Sequence, residues 1–163
     1  MRISCLLVFI VSLAFVVGCQ QADGPMPEPR EEVTNRIDDL SQDVLNVAGG
    51  NQQAPSEFLD DLMSFGDSGP GMDAVQALGR SVTPALVGKK ISEEGATRVA
   101  TQLWLVIAGR SLSERQREAV LSNLRDALSS TGLAQGEIEP VVAKAGEAQR
   151  ASTVRPRRWF ERF

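Results

Sequence analysis

From residue 31 to residue 151 apolar side chains return at spacings of three and four, and no stretch alternates in the manner of a strand. A chain patterned this way buries stripes on helices. Val33, Ile37, Leu40, Val44 and Val47 form the first stripe, over Glu31 to Ala48, and Gly49-Gly50 stops it. Pro55-Ser56-Glu57 opens a short helix with Phe58, Leu59, Leu62, Met63 and Phe65 on its apolar side, closed by Gly66. Asp73 is suited to cap a third helix running to about Val82, with Pro84 as its stop; Ala85 to Lys90 reads equally as a helical turn or as irregular chain.

The second half is punctuated more sharply. Ser92 followed by Glu93 and Glu94 marks a helix start, and Ala96, Val99, Ala100, Leu103, Trp104, Val106 and Ile107 keep one face apolar up to Gly109. Trp104 is therefore expected in the core. Ser113 to Gln116 has the form of a capping box, opening a helix whose stripe is Ala119, Val120, Leu124, Ala127 and Leu128 and which Gly132 ends. A last helix, from about Glu137 to Ala151, has Pro140 in its first turn and Ile138, Val141, Val142, Ala145 and Ala148 inward. Short connections favour antiparallel neighbours, so the expectation is an all-α fold, a small antiparallel bundle of five or six helices over residues 31–152.

What precedes the bundle is of another kind. Met1-Arg2 is positive, Ile3 to Val17 is apolar apart from Ser4, Cys5 and Ser12, and Gly18-Cys19 follows. Fifteen residues at about 1.5 Å each cover only about 22 Å of a hydrocarbon core roughly 30 Å thick, so a cleaved signal segment suits the run better than a span. Val16-Val17-Gly18-Cys19 resembles the lipobox of bacterial lipoproteins. The resemblance implies cleavage between Gly18 and Cys19, acyl chains on Cys19 as a membrane anchor, and loss of Cys5 with residues 1–18. Two or more chains give a stable anchor where one does not. Gln20, not being Asp, implies sorting to the outer membrane, facing the periplasm in a Gram-negative cell. Residues 19–30, with Pro25, Pro27 and Pro29 beside Gly24, read as an extended tether.

Charge divides the chain further. Cys19 to Ala74 holds twelve acids against Arg30 and Arg36, whereas residues 153–163 carry Arg155, Arg157, Arg158 and Arg162 with Trp159, Phe160 and Phe163. Trp159 and Phe163 would share a helix face, an arrangement that fits an anionic lipid surface or an acidic envelope partner. The bland alternatives are a frayed end or one folded onto the acidic front. The Val33 to Val47 stripe also has two readings, a partner-docking helix or a helix packed on its own domain; the second is expected, because two heptads seldom sustain a coiled coil.

Chemistry finds little purchase. Without a single His, the chain lacks the commonest general base and metal ligand, and its two Cys make no zinc cluster. Asp60-Asp61 with Asp67 and Asp73 does not have the spacing of a calcium loop, so no metal and no cofactor are expected. Lys89, Lys90 and Lys144 could serve a Ser-Lys or carboxylate hydrolase, but no motif surrounds them. A net charge of −4 and the implied compartment argue against nucleic acid. The reading is therefore a non-catalytic, lipid-anchored interaction protein, with an anchored hydrolase or a self-associating spacer as the alternatives.

Overall fold

The structure, a computed structural model, describes residue 26 and residues 28–66, 71–109 and 112–153. The described residues form six helices: α1 (Glu31–Ala48), α2 (Ala54–Ser64), α3 (Met72–Leu86), α4 (Glu93–Ala108), α5 (Glu114–Ser130) and α6 (Gln135–Thr153). No strand occurs among them. The all-α bundle expected from periodicity is the observed fold.

Cross-helix contacts give the sense of packing. Along α1 and α2, Arg36 meets Ser64 while Asp43 meets Asp61, so the two run antiparallel. α5 and α6 do the same: Arg125 pairs with Glu139 at one end, and Gln149 donates to the Arg117 carbonyl at the other. α3 follows α6 in reverse, with Gly71 against Ala151 and Lys89, just past α3, on Glu137. α4 lies at the centre, touching α1, α5 and α6. Its buried set is accordingly the longest, and it includes Trp104 as expected.

Local chemistry accounts for three of the ends in the second half. Ser92 Oγ accepts from the Gly95 amide at 3.1 Å, and Ser113 with Gln116 closes a full capping box at 3.2 and 3.0 Å. Past α5, Gly132 takes φ +81°, the left-handed conformation that lets a helix end without a Cβ penalty.

Four expectations need correction. α3 runs through Pro84 to Leu86; the ring is exposed and the lost N–H falls in the last turn, where continuing the helix buries Leu86 completely. Asp73 does not cap α3: Gly71 precedes the helix with no side-chain cap, and Asp73 lies in the first turn. α6 starts at Gln135, so Pro140 falls in its second turn rather than its first. Ala119 faces solvent, and the inward residues of α5 are Val120, Leu124, Ala127 and Leu128.

The α1 stripe packs inside the domain: Ile37, Leu40, Val44 and Val47 are 4% exposed or less, and the partly buried Val33 packs on the same cluster. The physical reason is α4, against which α1 packs, with Ser41 and Thr97 hydroxyls 3.1 Å apart across the contact. Among the described residues no helix is long and apolar enough to cross a membrane.

Candidate functional site

Because α1 and α2 are antiparallel and joined by a short turn, polar residues on their outer faces come to oppose one another. On α1, Asp39 and Asp43 are one turn apart; on α2, Glu57, Asp60 and Asp61 share a face at spacings of three and four. Together with Gln42 they line an open cleft of about 430 Å³. Five of its six lining residues are carboxylates, and none is basic.

Asp43 is the unusual member. It is only 7% exposed, and its Oδ2 is buried without a hydrogen-bond partner. Burial, the neighbouring Asp61 carboxyl within hydrogen-bond reach, and the charges of Asp61, Glu57 and Asp39 push its pKa up to about 7 from an ordinary 3.8.

No cation offsets this charge from α1 itself. Arg36 shares the α1 face with Asp39 and Asp43, but its guanidinium donates to Ser64 Oγ at 2.6 Å and stacks 4.5 Å over the Phe65 ring. Nor do the acids converge tightly: among the described residues no group of three or more His, Cys, Asp or Glu is placed to hold a metal ion.

A second groove, about 250 Å³, lies between α4 and α5 and is lined by Arg98, Gln102, Asn123, Asp126 and Ala127. Here both signs are present, and Gln102 Oε1 is a buried acceptor without a partner. Its Arg98 is already paired with Glu94.

The sequence-predicted sites are distributed as follows. Gly18 and Cys19, and Arg155, Arg157, Arg158, Trp159, Phe160, Arg162 and Phe163, lie outside the described residues. Asp60 and Asp61 are brought together with Asp39, Asp43 and Glu57, partners that the linear reading missed; Asp67 lies outside the described residues, and Asp73 does not line the cleft. The signal was present as Asp39/Asp43 and Glu57/Asp60/Asp61 at helical spacing on two consecutive helices. Lys89 is committed to Glu137 at 2.9 Å, and Lys144 to Glu147 at 2.7 Å. Comparison with family models, with curated proteins and with solved structures finds no match to this chain.

Proposed function

We propose that this chain is a lipid-anchored bacterial envelope protein that acts by binding. The anchor rests on Val16-Val17-Gly18-Cys19 after the apolar run, and Gln20 directs the acylated protein to the periplasmic face of the outer membrane. The observation that carries the binding role is the exterior of the helical domain. Its apolar stripes are spent inside, and Val87, at 51%, is the one large apolar side chain left exposed among the described residues. Apolar contact with a membrane therefore falls to the acyl chains on Cys19 and to Trp159, Phe160 and Phe163, set among Arg155, Arg157, Arg158 and Arg162.

Intact mass of the protein extracted from the membrane fraction tests the anchor. Loss of residues 1–18 with added acyl chains is the expected result, and an unmodified chain retaining Met1 would overturn it. Deletion of Arg155 to Phe163 tests the basic segment separately. Capture on anionic-lipid vesicles should then fall to background while helicity by circular dichroism is unchanged; full capture by the shortened chain would remove that segment from the binding role.

A further inference from the structure

We propose that the acylated Cys19 and the basic, aromatic residues 155–163 engage one and the same anionic membrane, because both segments leave the bundle at a single end, which is thereby turned toward the lipid. The proposal rests on the lipoprotein reading above and adds to it an orientation and a second point of attachment.

That end is built from contacts between described residues. Arg36, near the start of α1, donates to Ser64 at 2.6 Å and stacks 4.5 Å over Phe65, so α2 finishes where α1 begins. A Cβ on Gly66 would lie 2.8 Å from Met72 Sδ and 3.9 Å from Ile107 Cγ2, which brings the start of α3 and the last turn of α4 to the same place. A Cβ on Gly71 would meet the backbone of Ala151 and Ser152 at 3.6 and 3.7 Å, in the last turn of α6. Glu31 and Thr153, from which the two flanking segments depart, therefore stand at one end of the bundle.

Lengths decide what this placement allows. Met26 packs on the core cluster, so the free tether is only the seven steps from Cys19 to Met26, which reach at most about 25 Å. Residues 154–163 reach at most about 36 Å, further than that tether. Departing from the opposite end, they would start about 28 Å further from the lipid, the length of the 19-residue α6, and with the tether extended would not reach it.

Once acyl chains hold Cys19, contact of residues 155–163 with the same bilayer is intramolecular, so a weak affinity of four arginines and three aromatics suffices. The end face itself adds no attraction. Glu31, Glu32, Asp73 and Glu114 occupy the first turns of α1, α3 and α5 there. Lipid contact falls to the two flanking segments, and the acidic end stands off the anionic surface between them.

Energy transfer to a headgroup-labelled lipid tests the orientation, with the mature acylated chain in vesicles of phosphatidylethanolamine and phosphatidylglycerol. The donor dye is carried by Asp73→Cys, at an exposed position of the near end, or by Val87→Cys, at an exposed position just past α3 at the far end. Cys19, the other cysteine left once residues 1–18 are lost, is blocked by its acyl chain. Because α3 spans about 22 Å, transfer from the Asp73→Cys donor should exceed that from the Val87→Cys donor several-fold, and deleting residues 155–163 should bring the two close together. Equal transfer in the intact chain, or more from the Val87→Cys donor, overturns the proposal. A difference that survives the deletion also overturns it, since the tether alone would then set the orientation. Failure of the lipoprotein reading shows separately, as a chain that carries no acyl mass and does not float with the vesicles, and it removes the proposal as well.

Discussion

On the α5–α6 side of the bundle, Glu139 accepts from Arg125 at 3.1 and 3.3 Å; on the α1–α2 side, Asp43 faces Asp61 with no cation between them. The same arrangement of antiparallel helices has thus been given opposite electrostatics. Glu139 and Glu137 have pKa values held below the ordinary carboxylate range, the first mainly by hydrogen bonding to Arg125, the second by the Ala134 amide and then Lys89. Asp43 is pushed the other way, first by burial and then by its acidic neighbours. Paired charges draw helices together, whereas like charges facing each other across a cleft push them apart. The α1–α2 contact must accordingly be held by its apolar side, where Phe58 and Leu62 are completely buried.

The largest test breaks that hold. Phe58→Ala should cost about 3–5 kcal/mol, because the ring is completely buried. Urea unfolding followed by circular dichroism measures it; a loss under about 1 kcal/mol would mean that the ring does not hold α2 in place.

Asp43→Asn sharpens the comparison from the other side. Because the folded chain keeps a proton that the unfolded chain releases, the Asp43 contribution to stability falls as pH rises from about 3.8 to about 7, then levels. Glu137 and Glu139 act in the opposite sense, their contribution being present above the ordinary carboxylate range and lost as pH falls through their lowered values. Stability should therefore peak on the acid side of neutrality. Asp43→Asn removes the decline toward pH 8 and should be about 1–2 kcal/mol more stable than the natural chain there. Thermal melts across the pH range read this directly, and an unchanged profile would show that Asp43 is ionised without cost.

How far such features could be read from the residues depended on whether their cause was local. Ser92, the Ser113–Gln116 box and Gly132 act within one turn, so the ends they set were legible. Pro84 misled because the burial of Leu86, a tertiary effect, carries the helix past it. The stripe from Val33 to Val47 was plain, but its spacing is identical whether the covering surface is α4 or another molecule. The cleft was the least legible part. Asp60 and Asp61 invite association with Asp67 and Asp73, their neighbours along the chain, whereas the α1–α2 hairpin turns them toward Asp39 and Asp43.

The smallest effect lies at the start of α6, where the well-paired side of the bundle is itself incomplete. α5 opens with both halves of a capping box, but α6 has only the reach-back half: the Ala134 amide donates to Glu137 Oε2 at 2.8 Å, and Ala134 has no side-chain acceptor to return. Ala134 is exposed, so replacing its methyl sacrifices no packing. Ala134→Ser supplies the missing oxygen and should add about 0.5–1 kcal/mol in urea unfolding at pH 8. The existing half depends on an ionised Glu137, which Lys89 also holds, whereas a serine hydroxyl is indifferent to pH over this range. The gain should therefore persist in acid, where Glu137 becomes protonated and its own grip on the Ala134 amide weakens. A gain confined to pH 8 would mean that the serine acts through the Glu137–Lys89 pair, and that this end of α6 depends on its charges as closely as the cleft does.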